Sequence, residues 1–304
     1  MSTAFVFAGQ GSQKVGMGLD FYENRKESKE IYDSFETPFD LKNICFKGPK
    51  EDLDNTEFAQ PCIVATSLAI AEALRAEKIV PEYVAGLSLG EYSALTYAGT
   101  FSYKDIPNIV SKRGKIMATA LPKGTTGMAA VMGADIDTIK AALDDVKSGI
   151  CEIANYNSPA QIVITGEMAA LDEAISKLKE KKAKCIKLNV SGAFHSSLLN
   201  DASVKLDELL SGYEIKRPEI KVVYNVCGTT SDDDIKSLLV RQIKSSVRFM
   251  QSVEYMIEKG VDTFVEVGPG KTLSGFIKKI NKDIKILNVE DLDSLDKTVK
   301  EIKK

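Results

Sequence analysis

The segment from Gly127 to Val190 constrains the fold more strongly than any other part of the sequence. Its patterns predict, in order, strand MAAVMG, helix DIDTIKAALDDV, strand CEIANYN, strand AQIVITG, helix MAALDEAISKLKEKKA and strand KCIKLNV. The β-α-β-β-α-β order is that of a ferredoxin-like unit. We therefore predict a small subdomain over residues 124–190, inserted between residues 1–123 and 191–304 of a larger subdomain.

The rest of the chain also alternates short β-rich runs with helical patterns, which predicts an α/β fold. TAFVFAG is typical of a first strand, and QPCIVATSLAIAEALRAEK is typical of a helix with a proline near its start. The final segment, DLDSLDKTVKEIKK, indicates a charged helix on the surface.

Composition narrows the class of protein. The 304 residues are 44% hydrophobic and 27% charged with a net charge of −3, which is typical of a soluble globular protein and does not favour nucleic acid as a partner. The N-terminal segment lacks the features of a signal peptide, and no apolar run is long enough for a membrane helix. The cysteines are odd in number and scattered, which predicts reduced thiols in the cytoplasm rather than disulfides or a zinc site. They are Cys45, Cys62, Cys151, Cys185 and Cys227.

The stretch GLSLGEYSAL, from Gly86 to Leu95, contains a candidate nucleophile, Ser88. PEYVAG before it has a strand pattern, and EYSALTYAG after it has a helical pattern. Strand, tight turn and helix are the context of a nucleophile elbow, and the helix N-terminus favours negative charge at the serine oxygen. The alternative is an ordinary turn rich in glycine and serine. The motif alone does not decide between them.

A serine nucleophile needs a base, and histidine is the usual one because its pKa is near neutrality. The sequence contains a single histidine, His195, in VSGAFHSSLL. It follows Ser88 in the chain, which is the order of the elbow enzymes. The alternative is a histidine with a structural role.

Two glycine-rich loops only partly match phosphate-binding motifs. GPGKT, at Gly268–Thr272, resembles the end of a P-loop, but Val265 stands where the first glycine is required. GQGSQKVGMG has Lys14 at the third glycine position of the dinucleotide-binding fingerprint. Neither loop supports nucleotide hydrolysis or a nicotinamide cofactor.

The same loops belong to a set of motifs that occur in order along nearly the whole chain. The set is FAGQGSQ, GLSLGEYSAL, SKRGKIM, NYNSPAQIVITG, SGAFHS, LLVRQ and VEVGPGKTL. Together these motifs resemble the malonyl-CoA:acyl carrier protein transacylases of fatty acid synthesis and the related acyltransferase domains of polyketide synthases. The resemblance implies a hydrolase-like α/β core with a parallel sheet and an inserted ferredoxin-like subdomain.

By matched position, the resemblance implies that Ser88 forms an acyl ester and that His195 is its base. The backbone N–H groups of Gln10 and Leu89 then form an oxyanion hole, which stabilises developing negative charge. Arg113, in KRGKIM, binds the free carboxylate of the malonyl group through paired hydrogen bonds. The alternative for Arg113 is a solvated helix arginine.

The resemblance assigns three further residues to the site. The backbone carbonyl of Gln242, in LLVRQ, orients His195 in place of a triad carboxylate, so most acidic residues are expected to be surface charge. Gln60, in AQPCIV, and Asn157, in NYNSP, are expected in the substrate pocket; their alternative is a role in turns or caps.

The sequence departs from the family at three positions. Leu87 stands where many relatives have a histidine before the nucleophile, so His195 is the only imidazole available. Ala8 replaces a frequent proline, and Phe249 replaces a frequent tryptophan. None of these changes touches a proposed catalytic atom.

The implied activity is transfer of malonyl from malonyl-CoA to the phosphopantetheine thiol of acyl carrier protein, through a malonyl-serine intermediate, with no metal or redox cofactor. The alternatives are an acyl hydrolase or a trans-acting polyketide acyltransferase that uses the same Ser88 and His195. A third, non-catalytic alternative is a scaffold that binds carrier protein.

Two expectations concern the partner and the acyl group. Carrier proteins are typically acidic, and a basic patch for docking would comprise Lys112, Arg113, Lys115 and Lys123, although these can equally be scattered solubilising charges. Phe194 directly precedes His195. In the resembling acyltransferase domains, a phenylalanine at this position accompanies selection of malonyl, and a serine accompanies selection of methylmalonyl. The phenyl ring would fill the space that a 2-methyl branch needs.

Overall fold

Two β-sheets, one parallel and one antiparallel, organise the protein. The structure is a computed structural model and describes residues 2–190 and 192–304. Ser191, the first residue of the SGAFHS motif and of the second predicted segment of the large subdomain, lies outside the described residues, as does Met1. The strands are β1 (Thr3–Phe7), β2 (Tyr83–Gly86), β3 (Thr126–Met132), β4 (Cys151–Ser158), β5 (Gln161–Glu167), β6 (Lys184–Lys187), β7 (Lys221–Val222), β8 (Thr263–Val267) and β9 (Lys285–Val289).

Helices connect and cover these strands. They are α1 (Leu19–Asn24), α2 (Lys26–Ser34), α3 (Leu41–Lys47), α4 (Lys50–Leu53), α5 (Thr56–Ala76), α6 (Gly90–Tyr97), α7 (Ile106–Ala118), α8 (Ile136–Asp144), α9 (Met168–Glu180), α10 (Asn200–Leu210), α11 (Ile235–Gln242), α12 (Phe249–Glu258), α13 (Thr272–Ile280) and α14 (Leu292–Ile302), with a short 3-10 helix at Ser197–Leu199. Within the described ranges, no helix combines the length and the apolar character that crossing a bilayer requires.

The parallel sheet has the strand order β7-β2-β1-β8-β9. Side chains of β1 alternate between two apolar cores: Phe5 and Phe7 belong to one, and Ala4 and Val6 belong to the other. A strand that is buried on both faces is typical of a parallel sheet covered by helices on both sides. The turns after β1 and β2 therefore emerge side by side at the carboxyl edge of the sheet, where α/β proteins bind ligands.

The antiparallel sheet has the order β4-β5-β3-β6, which confirms the predicted ferredoxin-like topology. Ala129 and Val131 of β3 pack in an apolar core with residues of α8 and α9. Met128 and Ala130, on the opposite face of the same strand, line a cavity toward the parallel sheet. The boundaries predicted between the subdomains stay predictions.

Two predicted helices differ in detail from the observed ones. Helix α5 begins at Thr56, where the Asn55 side chain accepts a hydrogen bond from the Glu57 N–H at 3.1 Å, so Pro61 lies in the second turn rather than near the start. Helix α14 is not purely a surface helix, because Leu295 and Thr298 are buried. Local charge and proline patterns predict that these helices exist, but the Asn55 cap sets where α5 begins and tertiary packing decides which face α14 buries.

Candidate active site

Ser88 occupies the turn between β2 and α6. Its φ of 54° lies in the left-handed region, which residues other than glycine rarely adopt. A Cβ on Gly86 would lie 2.0 Å from the carbonyl carbon of Gly90, and a Cβ on Gly90 would lie 2.1 Å from the carbonyl oxygen of Phe7. The turn is therefore too tight for side chains at these two positions. The structure has the strand-turn-helix geometry of a nucleophile elbow.

The hydroxyl of Ser88 is paired with the ring of His195. Ser88 Oγ lies 2.7 Å from His195 Nε2, and His195 Nδ1 lies 2.9 Å from the main-chain oxygen of Gln242. Because a carbonyl oxygen can only accept, Nδ1 carries the proton and Nε2 is free to accept the serine proton. The Ser88–His195–Gln242 arrangement therefore uses a backbone carbonyl where the classical triad has a carboxylate.

The protonation state of His195 suits a base. Its side chain is buried, and burial, with a smaller contribution from the nearby Arg113 cation, lowers the pKa of His195 to about 4. The hydrogen bond to the Gln242 carbonyl acts in the opposite direction but does not offset burial. The imidazole is therefore neutral near pH 7.

Two backbone N–H groups close to the nucleophile are free donors. The turn after β1 touches the elbow so closely that a Cβ on Gly9 would lie 2.4 Å from the carbonyl oxygen of Leu87. Within residues 2–190 and 192–304, the N–H groups of Gln10 and Leu89 donate to no protein acceptor. Free N–H groups of this kind can stabilise an oxyanion that forms beside Ser88.

Arg113, on α7, is completely buried beside Ser88. Its Nη2 lies 3.3 Å from Ser88 Oγ and 3.1 Å from Gln242 Oε1, and its Nη1 lies 2.8 Å from Gln60 Oε1. In the part of the chain that the structure describes, these hydrogen-bond partners are all neutral side chains rather than carboxylates, and the Nε of Arg113 has no hydrogen-bond partner. Burial lowers the pKa of Arg113. The alternative of a solvated helix arginine is therefore wrong.

A cavity of about 840 Å³ opens in front of Ser88 and His195, between the two sheets. Phe194 and Asn157 line it, and the Oδ1 atom of Asn157 is buried without a hydrogen-bond partner. Gln10 also lines the cavity, whereas Gln60 is fully buried behind it and contacts Arg113.

The predicted basic patch needs a correction. Arg113 is buried and cannot belong to a docking surface, because its guanidinium faces the nucleophile rather than solvent. Lys112, Lys115 and Lys123 are exposed, and Lys123 lies at the cavity.

The GPGKT loop has a structural explanation that excludes a phosphate site. It precedes α13, whose first N–H groups would be needed to bind a phosphate. The buried carboxylate of Glu266 already accepts hydrogen bonds from the N–H groups of Leu273 at 3.0 Å and Ser274 at 2.7 Å.

Sequence reasoning missed three contacts around the elbow. Asn225, after β7, contacts the backbone of the elbow, and the carboxyl of Glu91, in the first turn of α6, is completely buried. The side chain of Gln242 donates to the Ser88 carbonyl at 2.9 Å in addition to its backbone contact with His195. A glutamate inside the apolar helix pattern after Ser88 was a signal for the buried carboxyl; nothing local in the sequence pointed to Asn225.

Comparison with known proteins identifies the family of the chain. The Acyl transferase domain family matches residues 4–301 of the chain. The malonyl CoA-acyl carrier protein transacylase of Bacillus subtilis is 41% identical over 307 aligned positions, which cover 99% of this chain and 97% of that protein.

Solved structures give the same result. The crystal structure of malonyl CoA-acyl carrier protein transacylase from Clostridium perfringens is similar with a TM-score of 0.97 at 44% identity, and the match covers 100% of this chain and 98% of that one. A malonyl-transacylase solved in complex with its type II polyketide acyl-carrier protein has a TM-score of 0.96 at 35% identity, with 99% and 100% coverage. The chain therefore belongs to the acyl transferase domain family, among the malonyl CoA-acyl carrier protein transacylases.

Proposed function

We propose that this chain transfers the malonyl group of malonyl-CoA to the phosphopantetheine thiol of an acyl carrier protein, in fatty acid biosynthesis and through a malonyl ester of Ser88. The observation that carries this proposal is the buried guanidinium of Arg113, which lies 3.3 Å from Ser88 Oγ and has no carboxylate counter-ion among the described residues. A buried charge without a counter-ion is costly. An acyl group that ends in a carboxylate supplies that counter-ion when it is attached to Ser88, whereas acetyl does not.

In the first half of the reaction, Nε2 of His195 accepts the Ser88 proton while Oγ attacks the thioester carbonyl of malonyl-CoA. The free N–H groups of Gln10 and Leu89 stabilise the resulting oxyanion. The C–S bond then breaks, and the CoA sulfur leaves with the proton that His195 holds. The Gln242 carbonyl keeps the imidazole ring in place throughout because it accepts from Nδ1.

In the second half, the carrier thiol gives its proton to His195 and attacks the malonyl ester of Ser88. Collapse of the tetrahedral intermediate returns the proton to Oγ and releases malonyl-carrier. Both halves use only the side chains and amides described above, and the proposed reaction needs no metal or redox cofactor. Lys112, Lys115 and Lys123 are exposed cations that can contact an acidic carrier.

The test follows labelled malonyl-CoA through the two halves. Label is expected on the protein after the first addition and on the carrier after the second. Loss of label to water at the same rate with and without carrier would support the hydrolase alternative, and no label on the protein would support a scaffold. Fatty acid and polyketide carriers, offered separately, distinguish the two pathways.

The role of Arg113 is tested by Arg113→Ala with three thioesters. In Arg113→Ala we expect malonyl transfer to be lost while acetyl transfer survives or rises, because acetyl no longer meets a buried charge without a counter-ion. The wild-type protein should strongly prefer malonyl-CoA over acetyl-CoA and methylmalonyl-CoA. Arg75→Ala is the matched control, since Arg75 is a helix arginine that stacks on Tyr97 outside the cavity. Unchanged malonyl transfer in Arg113→Ala would remove the basis of the substrate assignment.

A further inference from the structure

Asn225 lies directly behind the nucleophile elbow and is almost completely buried. Its side-chain Oδ1 accepts the N–H of Ser88 at 2.7 Å, and its Nδ2 donates to the carbonyl of Gly86 at 2.6 Å. Because an amide N–H can only donate and a carbonyl can only accept, these two partners fix which end of the Asn225 amide faces each of them. The side chain therefore spans the elbow from the end of β2 to the nucleophile.

The backbone of Asn225 is held just as firmly. Its N–H donates to Oε2 of Glu91 at 2.7 Å, and its carbonyl accepts the N–H of Arg248 at 2.9 Å. Both ends of its side chain and both polar groups of its backbone are thus hydrogen-bonded. Three of the four contacts fall on the elbow and the helix that follows it, at Gly86, Ser88 and Glu91.

These contacts meet at Ser88, which is strained, as is its partner His195 with a φ of 59°. Ser88 adopts a φ of 54°, and such a conformation persists only where its surroundings enforce it. Asn225 holds the Ser88 N–H, and Gln242 Nε2 holds the Ser88 carbonyl at 2.9 Å. With its own N–H occupied by Asn225, Ser88 leaves the following N–H, that of Leu89, as the free donor of the elbow.

We propose that Asn225 is a positioning residue for acyl transfer. It holds the backbone of Ser88 in the conformation that aims Oγ at His195 and keeps the Leu89 N–H available to the oxyanion. The proposal rests on the proposed function for the identity of the acyl group, but the alignment of Ser88 with His195 does not depend on which acyl group reacts. Asn225 touches neither the substrate cavity nor the reacting atoms, so its loss is expected to slow acylation without weakening binding.

The experiment measures single-turnover acylation of Asn225→Ala and Asn225→Asp by malonyl-CoA, with quenched-flow sampling and intact-protein mass spectrometry. The aspartate fills the same space and still accepts the Ser88 N–H, but it faces the Gly86 carbonyl with an oxygen instead of a donor. We expect the acylation rate constant to fall about 10- to 100-fold in the alanine variant, because small misalignments of reacting groups have effects of this size. The fall should be smaller in the aspartate variant, and the concentration of malonyl-CoA at half-maximal rate should change less than about twofold.

The single-turnover rate constant separates positioning from stability, because misfolded molecules reduce the amplitude and not the rate. Ser28→Ala is the matched control: it removes a completely buried hydrogen bond, from Ser28 Oγ to the Ala69 carbonyl at 2.7 Å, which joins α2 to α5 and includes no residue of the elbow. It should lower stability and leave the rate constant unchanged. Rate constants within threefold of wild type in both Asn225 variants would overturn the proposal.

Labelling by a fluorophosphonate, which reacts with activated serines in general, keeps this proposal distinct from the proposed function. We expect the same order of rates with this probe: wild type, then Asn225→Asp, then Asn225→Ala. If wild type reacts with the fluorophosphonate but not with malonyl-CoA, the proposed function fails and the fluorophosphonate rates still decide the role of Asn225. Equal fluorophosphonate rates in the three proteins would refute that role even if malonyl transfer is established.

Discussion

Substitution of Glu91 by glutamine should change how the stability of the fold depends on pH. Glu91 is completely buried; its Oε2 accepts the Asn225 N–H at 2.7 Å, and its Oε1 has no hydrogen-bond partner in the described residues. Burial raises the pKa of Glu91 from 4.5 to about 7, an increase that its hydrogen bonds and the Arg113 cation only partly offset. Between pH 4.5 and about 7 the folded protein therefore holds a proton that the unfolded chain has released.

Proton linkage gives the direction in which stability changes with pH. Between pH 4.5 and about 7 the native state binds more protons at Glu91 than the unfolded state does, so this carboxyl lowers the free energy of unfolding as pH rises through that window. Glutamine does not titrate. One pKa unit corresponds to about 1.4 kcal/mol, so Glu91→Gln should gain about 3 kcal/mol of stability relative to wild type between the lower and upper ends of the window.

Urea unfolding at several pH values, followed by circular dichroism, measures this difference. A difference in the free energy of unfolding that is the same at every pH reflects the hydrogen bonds of the new amide. Only the change of this difference with pH reports on the Glu91 carboxyl. Glu258→Gln, at an exposed position, controls for the change of residue type. Parallel pH profiles for Glu91→Gln and wild type would refute the reasoning, because they would mean that Glu91 is ionised equally in the folded and unfolded states.

Four further outcomes are expected. Ser88→Ala should show no malonyl adduct by intact-protein mass spectrometry, since no other serine occupies the elbow; an undiminished adduct would contradict this. His195→Ala should lower transfer at pH 7 by ~10²–10⁴-fold or more with the fold intact, as loss of a general base typically does; activity within a few-fold of wild type would mean that another base acts. Wild-type acylation should stay constant from pH 8 down to about pH 5 and fall only toward pH 4, where His195 becomes protonated; a midpoint near 6.5 would show that burial does not lower this pKa. Phe194→Ser should narrow the preference for malonyl-CoA over methylmalonyl-CoA, because one methyl group in a fitted pocket is worth roughly 10- to 200-fold; an unchanged ratio of kcat/KM values would place the selectivity elsewhere.

The fold was predictable where local pattern and tertiary burial agree. The ferredoxin-like order could be derived because each of its strands and helices shows its own apolar period, as in α9, where Leu171, Ile175 and Leu178 recur at helical spacing and are buried. The start of α5 was misplaced by four residues, because Pro61 suggested a start at Gln60, whereas the side chain of Asn55 caps the helix at Thr56.

The residues of the site could be predicted where they carry a signal in their own sequence neighbourhood, but the contacts between distant residues could not. Ser88, the glycines beside it and the single histidine carry local signals, and a resemblance of ordered motifs assigned the rest. The burial of Arg113 and the contacts of Asn225 were not predictable, because they depend on which strands become neighbours. Asn225 is separated from Ser88 by 137 positions, and only the pairing of β7 with β2 brings the two together.

A carbonyl partner for His195, in place of a carboxylate, also sets how much each half of the proposed reaction demands of this base. Neither the Gln242 carbonyl nor the buried surroundings supply negative charge to a protonated ring, and the Arg113 cation opposes it, so His195 is a weak base with a pKa of about 4. A thiol ionises near pH 8.5, whereas a serine hydroxyl, like water, is a far weaker acid. A weak base therefore takes the proton of the carrier thiol far more readily than that of Ser88. The two halves of the proposed reaction thus place unequal demands on His195: attack by Ser88 Oγ depends on this base heavily, and attack by the carrier sulfur depends on it less.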